Sequence, residues 1–184
     1  MTATTYLFTT IALVGVGVAG TKEIDDLHVS KPFSDLVLDG RGSKRTSQIA
    51  ELRAAIEAVV MIDRLREKYG DGSDRDREPN YRKRKHHRTN LDSKDPTYFI
   101  IAMDSEYVVK GMTDWLPLWK TNGFRNAKGH EPANLGLFLA LERDICEVEQ
   151  KWDIIICFWW VPRECNKIAD KLAKNAAKLD TGDN

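Results

Sequence analysis

The sequence predicts one α/β domain with a mixed sheet. Apolar strand-like segments and amphipathic helices follow each other in the order strands, helix, strand, helices, strand, helix. Helices between apolar strands indicate parallel pairing, whereas short strands separated by turns indicate an antiparallel meander. At 184 residues, with 42% hydrophobic and 30% charged residues, the chain can bury a sizeable core. We therefore expect a single domain over residues 1–180.

The N-terminal apolar run, residues 6–19, is predicted to form one or two short strands. Its alternating valine and glycine, with threonine and aromatic residues, is typical of strands. The run is too short and too glycine-rich for a membrane span. A signal-peptide core, although no Lys or Arg precedes it, and an incorrectly assigned N-terminus are the alternatives. Further short strands are expected at 27–29 and 36–38.

A strong amphipathic helix is predicted to begin near Thr46 or Ser47 and to end near Gly70. The polar stretch that follows, residues 71–96, is expected to be a long loop insert. It contains a basic run at 82–88, which either contacts nucleic-acid phosphates without sequence selectivity or forms a solvated, mobile loop.

The second half of the chain alternates buried strands and capped helices. A strand at 97–103 is predicted to be buried on both faces. The expected elements after it are a helix capped by Ser105 that runs through Met112, a tryptophan-rich turn at 115–119, a polar basic loop at 120–133, a helix capped by Asn134, a strand at 154–161 and a last helix capped by Asn166.

Three carboxylates stand where such a fold could bring them together. Glu51 lies near the start of the first long helix, Asp104 directly follows a buried strand, and Asp170 lies early in the last helix. Each alone has an ordinary explanation, as a complement to a helix dipole or as a surface acid. Open α/β sheets bind ligands at the carboxyl ends of their strands, and clustered carboxylates are the oxygen donors that Mg²⁺ prefers. Together the acids predict a magnesium site suited to phosphodiester chemistry.

Three ordered motifs give these acids a family context. The segments are AELRAAIEA around Glu51, MDSEYVVKGMTDWLPLWKTNGF from Met103, and NKIADKLAKNAA around Asp170. Over residues 46–178 the chain resembles the type 1 ribonuclease H family. The resemblance implies a five-stranded mixed sheet flanked by helices, and hydrolysis of the RNA strand of RNA–DNA hybrids that leaves 5′-phosphate and 3′-hydroxyl ends.

The resemblance also implies roles for individual residues. Glu51, Asp104 and Asp170 would be the catalytic residues and would ligate two Mg²⁺ ions, with Mn²⁺ as an alternative. For the two tryptophans, core packing is an equally weighted alternative, because a spacing of four puts them on one helical face. The residues implied to bind substrate are Gln48, at the minor groove where RNA 2′-hydroxyls are exposed, Trp115, Trp119 and Lys120, at the DNA-side backbone, and Ser105 and Asn134.

Two departures from the family pattern concern the same site. The family begins with a strand that ends in a metal-bridging aspartate, and here the best positional match is Thr10. A hydroxyl cannot supply that bridging anion, so metal affinity and rate are expected to fall by orders of magnitude. Asp39 lies too close to Glu51 for the two strands that should intervene, and Asp25 and Asp26 are weak alternatives. In addition, residues 161–166 contain no histidine, which many members carry before the last aspartate, and this predicts altered turnover.

Three hypotheses follow from the resemblance: an active hybrid nuclease with a divergent or incorrectly assigned N-terminus, a degenerate relative that binds nucleic acid without cutting it, and a domain cut from a mobile-element polyprotein. An unrelated phosphotransferase is disfavoured because GVGVAG lacks the Lys-Ser/Thr of a phosphate loop. The three cysteines show no CxxC spacing and predict neither zinc nor disulfides. We expect a monomer inside the cell, in the nucleus or cytoplasm or, as an alternative, the mitochondrion, with an RNA–DNA hybrid as partner and no membrane association.

Overall fold

The computed structural model describes residues 4–12, 15–19, 29–32, 46–69 and 97–181. The predictions for the loop at 71–96, the strand at 36–38 and the acids Asp25, Asp26 and Asp39 lie outside these residues. The strands are β1 (Thr4–Ala12), β2 (Gly15–Ala19), β3 (Val29–Pro32), β4 (Thr97–Met103) and β5 (Ile154–Trp160), and the helices are α1 (Ser47–Tyr69), α2 (Glu106–Lys110), α3 (Leu116–Thr121), α4 (Leu135–Trp152) and α5 (Lys167–Thr181).

The described strands hydrogen-bond in the order β3-β2-β1-β4-β5. The pairs β1–β2 and β2–β3 are antiparallel, whereas β1–β4 and β4–β5 are parallel. The prediction of strands within residues 6–19 is confirmed by β1 and β2. The predicted strand at 27–29 overlaps β3 at Val29, and β3 extends through Pro32; residues 27–28 lie outside the described residues. The α/β class is confirmed.

The strand register places one position of β1 beside the end of β4. Thr9 pairs with Met103 in the parallel ladder, and this is the last pair of that ladder. The residue that follows this pair is Thr10 in β1 and Asp104 at the end of β4. Backbone position 10 therefore lies level with Asp104 at the carboxyl end of the parallel strands.

The main core lies between the sheet and the layer formed by α1 and α4. The Thr46 side-chain oxygen accepts a hydrogen bond from the Ile49 amide at 3.3 Å, so Thr46 caps α1. Helix α1 contacts α4, β1 and β2, while α5 contacts β1, β2 and β3. Fully buried side chains of this core include Leu52, Val59, Ile62, Ile101, Phe138 and Leu141.

The predicted tryptophan-rich turn at 115–119 is wrong, because the chain stays helical there. A single π-helical stretch, Gly111–Trp115, leads directly into α3. Helical spacing brings the rings of Trp115 and Trp119 together, with centroids 6.1 Å apart. Gly111 is required where this helical segment packs against α4, since a Cβ there would overlap a ring carbon of Phe138. Aromatic packing thus outweighs the turn propensity of this segment.

No helix in the described part of the chain is long and apolar enough to cross a membrane.

Candidate functional site

Three structural elements bring the predicted acids to one edge of the sheet. Asp104 follows β4, Asp170 lies in the first turn of α5, and Glu51 lies in α1. The first turn of α1 contains no acid, so the alternative that Glu51 complements the helix dipole there is wrong. Each carboxylate forms a hydrogen bond or an ion pair with a residue outside its own element. These pairs are Glu51 with Ser105, Asp104 with Asn166, and Asp170 with Arg163.

Ser105 connects α1 to the segment after β4. Its hydroxyl donates to Glu51 Oε2 at 2.5 Å and accepts from the Val108 amide at 3.4 Å, which caps α2. Ser105 is only 7% exposed. Its hydroxyl is therefore engaged within the protein, and this contact assigns it a role in orienting Glu51. Its predicted contact with substrate stays a prediction.

Burial disfavours the ionised form of the Glu51 carboxylate. Burial raises the pKa of Glu51, and the neighbouring charge of Asp104 raises it further. The Ser105 hydrogen bond and the charge of Arg163 lower this pKa, but the net direction is upward from 4.5. Glu51 therefore shares its electrostatic environment with Asp104 and Arg163.

Asp104 is oriented by a buried amide from the start of α5. The Asn166 side-chain nitrogen donates to Asp104 Oδ1 at 3.0 Å, and Asn166 is 1% exposed. The sequence indicated Asn166 only as a helix cap and missed this contact. A possible signal was its position four residues before Asp170 in the NKIAD motif. Because a buried amide needs hydrogen-bond partners, this contact fixes the carboxylate and the start of α5 together.

Asp170 is held by two cations. Lys174 Nζ lies 2.5 Å from Asp170 Oδ2, and Arg163 Nη2 lies 3.2 Å from Asp170 Oδ1. The Lys174 hydrogen bond is the main cause that lowers the pKa of Asp170; Arg163 lowers it too, while burial opposes both. Arg163 Nε also lies 3.8 Å from Asp104 Oδ2. Sequence reasoning missed Arg163, although it stands in the segment where a family histidine is absent.

The carboxylate oxygens are suitable ligands for a divalent ion, but the three side chains are not arranged around one common ion position. Carboxylate oxygens are hard donors of the kind that Mg²⁺ and Mn²⁺ accept. Two of the acids, Asp104 and Asp170, already share one cation, the guanidinium of Arg163. Within the described residues, no three His, Cys, Asp or Glu side chains are placed to hold a metal ion. Ion binding by all three acids therefore requires side-chain rearrangement around Arg163.

The predicted substrate-binding residues differ in their surroundings. Gln48 is exposed on α1, one turn before Glu51. Lys120 is exposed and pairs with Glu142 at 2.8 Å. Trp119 is 8% exposed and contacts the Phe138 ring edge-on at 5.5 Å between centroids, so the core-packing alternative is confirmed for Trp119. Trp115 is half-buried and its ring lies 5.7 Å from that of Tyr107.

Asn134 is the N-cap residue of α4, as predicted, but its side chain does not form the capping hydrogen bond. Its backbone is left-handed, with φ 59°, and its side-chain nitrogen donates to the Tyr107 hydroxyl at 3.1 Å. That hydroxyl in turn donates to the Ala133 carbonyl at 3.2 Å. Burial raises the pKa of Tyr107, and the charge of Glu51 adds to this shift. Tyr107 therefore connects the loop before α4 with the neighbourhood of Glu51.

Sequence comparison finds ribonuclease H relatives that align with part of the chain. A ribonuclease H of Dichelobacter nodosus is 38% identical over 87 residues, which cover 45% of this chain and 54% of the relative. A ribonuclease H of Vibrio cholerae O395 is 31% identical over 94 residues, 49% of this chain and 56% of the relative. The chain thus spans about half the length of the curated relatives it matches. No family model matches the chain.

Solved structures share the fold over nearly the whole chain. LC11-RNase H1, solved in complex with an RNA/DNA hybrid, has a TM-score of 0.52 and 18% identity, covering 97% of this chain and 99% of that one. The PFV RNase H domain has a TM-score of 0.54 and 18% identity, covering 96% and 94%. The sheet order and the helices therefore correspond to the ribonuclease H-like α/β fold. By sequence, the chain resembles ribonuclease H over about half the length of each relative.

Proposed function

We propose that this protein is a ribonuclease H that hydrolyses the RNA strand of RNA–DNA hybrids with divalent metal ions. One observation carries the proposal. Three carboxylates from α1, the end of β4 and the start of α5 meet at the carboxyl edge of the parallel strands, where Ser105 and Arg163 connect them. The hybrid bound to LC11-RNase H1 supports an RNA–DNA hybrid as the substrate class.

In this proposal Glu51, Asp104 and Asp170 would hold Mg²⁺, or Mn²⁺ in its place. Bound there, the metal would supply activation of a water molecule and stabilisation of the leaving oxygen of the phosphodiester. Ser105 orients Glu51, and Asn166 orients Asp104, through the hydrogen bonds described above.

The hybrid would contact the surface that carries Gln48, Trp115, Lys120 and Asn134. Gln48 and Lys120 are exposed, and Lys120 can exchange its Glu142 partner for a phosphate. Trp119 would support this surface from within the core. We further propose one ribonuclease H-like domain with a five-stranded sheet, acting as a monomer inside the cell and away from membranes.

A second candidate function is hybrid binding without cleavage. Backbone position 10 lies level with Asp104, and the residue there is threonine. In the family pattern this position carries the aspartate that bridges both metals. Because a neutral hydroxyl cannot replace a bridging anion, metal affinity and rate would be low while the nucleic-acid surface is retained.

Hybrid cleavage and hybrid binding, measured on the same preparations of the 184-residue chain, separate the two functions. The proteins are the wild type, Asp104→Asn and, as a matched control, Asp144→Asn, since Asp144 forms a surface ion pair with Arg143 on α4. The nuclease proposal expects cleavage of a labelled hybrid with Mg²⁺ or Mn²⁺ that Asp104→Asn abolishes and Asp144→Asn preserves. Salt-sensitive binding without cleavage supports the second candidate. If the protein neither cleaves nor binds the hybrid, both proposed functions are contradicted.

A further inference from the structure

We propose that Arg163 controls divalent-ion binding at this site, because its guanidinium competes with the ion for Asp104 and Asp170. The inference rests on the proposed metal-dependent function and concerns its regulation. It adds a residue outside the predicted ligand set to the factors that determine metal affinity.

The contacts of Arg163 join two acids that come from different elements. Its Nη2 lies 3.2 Å from Asp170 Oδ1, and its Nε lies 3.8 Å from Asp104 Oδ2. The side chain of Arg163 is 68% exposed, whereas both carboxylates are largely buried. The guanidinium therefore approaches from the solvent side and lies across the carboxylate oxygens that an entering ion would use.

The local charge explains why the arginine and the ion compete. Glu51, Asp104 and Asp170 carry negative charge when ionised, and Arg163 compensates part of it at the point where two of them meet. A divalent cation that enters beside a fixed guanidinium meets like-charge repulsion, and the repulsion increases as water is excluded. An ion shared by Asp104 and Asp170 is thus favoured only after Arg163 has left them.

The surroundings of Arg163 allow it to leave. It lies in a short 3₁₀ turn, Arg163–Cys165, after Pro162 and before α5. Because most of its side chain is solvent-exposed, rotation away from the acids does not remove it from the apolar core. Release would also free a cation beside the site, where the phosphates of a nucleic acid would be its natural partner.

Lys174 provides a matched control. It carries the same charge and contacts Asp170, at 2.5 Å, from the same helix four residues away. Lys174 contacts Asp170, whereas Arg163 contacts both Asp104 and Asp170. Neutralising Lys174 changes the total charge by the same amount as neutralising Arg163, but leaves the Arg163 contacts in place.

The test is Mn²⁺ binding by the 184-residue chain, measured by isothermal titration calorimetry and by the loss of the free Mn²⁺ electron paramagnetic resonance signal. We expect Arg163→Gln to bind Mn²⁺ about fivefold more tightly than the wild type, and Lys174→Gln to change the affinity less than about twofold. An Arg163→Gln affinity equal to or weaker than that of the wild type overturns the inference. So does an equal gain in Lys174→Gln, because the effect would then be one of total charge.

A folding control and a substitute variant allow the test to give a result even if Arg163→Gln does not fold. Circular dichroism and thermal unfolding without metal report whether Arg163→Gln folds; if it does not, Arg163→Lys takes its place. A single ammonium cannot span both carboxylates as the guanidinium does, so this variant is expected to bind Mn²⁺ more tightly than the wild type, and equal or weaker binding overturns the inference. Equal affinities in wild type and variant contradict the role of Arg163 alone. No Mn²⁺ binding by either protein contradicts both this role and the metal-dependent function.

Discussion

Asp104 and Asp170 belong to the same candidate site and share Arg163, but the partner that lies nearest to each is of the opposite kind. Asp104 accepts a hydrogen bond from the amide of Asn166, which is almost completely buried. Asp170 is paired with Lys174 and Arg163, whose side chains are mostly exposed. A neutral donor orients a carboxylate and leaves its charge available, whereas a cation orients it and compensates the charge.

The difference shows which part of the site is preorganised and which part is adjustable. Glu51 resembles Asp104 in this respect, because the buried hydroxyl of Ser105 holds it. Neutral buried donors thus fix two acids toward an incoming cation, in the way that outer hydrogen bonds orient metal ligands elsewhere. The exposed cations Lys174 and Arg163 hold the third and can move away, and Arg163 also lies 3.8 Å from Asp104. Substitution of a buried neutral donor and substitution of an exposed cation should therefore differ in their effects on stability and on metal binding.

The largest effect in this comparison is expected for Asn166→Ala. It removes a buried donor and leaves the partly buried Asp104 without that partner, which costs about 1–3 kcal/mol of unfolding free energy. Urea unfolding at neutral pH measures this cost, and Mn²⁺ titration should show weaker binding in the same variant. Asn175→Ala, at an exposed position of α5, is the control and should have little effect. Equal unfolding free energies for the two variants would remove Asn166 from the account.

Ser105→Ala should have an intermediate effect on stability. The variant loses both the cap of α2 and the donor to Glu51, and loss of a helix cap costs about 0.5–2 kcal/mol. Because the Ser105 hydrogen bond lowers the pKa of Glu51, its removal should raise that pKa further. Thermal unfolding reports the first effect, and carboxyl ¹³C chemical shifts followed against pH report the second. An unchanged Glu51 titration would show that the hydroxyl is not its effective partner.

The raised pKa of Glu51 also predicts a pH dependence. A carboxyl whose folded-state pKa exceeds its unfolded value favours folding when protonated, and this contribution is lost as pH rises through the folded pKa. Metal binding needs the ionised form, so Mn²⁺ affinity should fall as pH is lowered toward the raised pKa of Glu51. Calorimetry at a series of pH values on wild type and Glu51→Gln tests this, since part of the dependence should disappear in the variant. Identical profiles would contradict the assignment.

The smallest effect is expected for Lys174→Gln. An exposed ion pair contributes about 0–1 kcal/mol, and salt screens it further. The pKa of Asp170 is lowered mainly by Lys174, so the stability from this pair is present above 3.8 and is lost as pH falls through the lowered pKa. Urea unfolding at pH 7 and at lower pH should therefore show a small wild-type advantage at pH 7 that decreases as the pH falls below 3.8. A cost as large as that of Asn166→Ala would invalidate the contrast between buried and exposed partners.

The sequence predicted the elements that carry the acids better than the contacts between them. Helical periodicity and caps located α1 and α5, and a short apolar run located β4, because local propensity and burial agree in those segments. The contact of Asn166 with Asp104 could not be predicted, since it joins residues 62 positions apart whose side chains meet only after α5 packs on the sheet. Propensity also failed at residues 115–119, where ring packing against Phe138 keeps the chain helical.

The central claim is that this is a ribonuclease H site whose first aspartate position is occupied by Thr10. The most direct measurement is the rate of hybrid cleavage with Mg²⁺ by wild type, Thr10→Asp and the double variant Thr10→Asp/Asp104→Asn. We expect Thr10→Asp to cleave about 100-fold faster than the wild type, because it restores an anionic ligand level with Asp104, and the double variant to be inactive. A folded Thr10→Asp protein that binds the hybrid but cleaves it no faster than the wild type would contradict the claim.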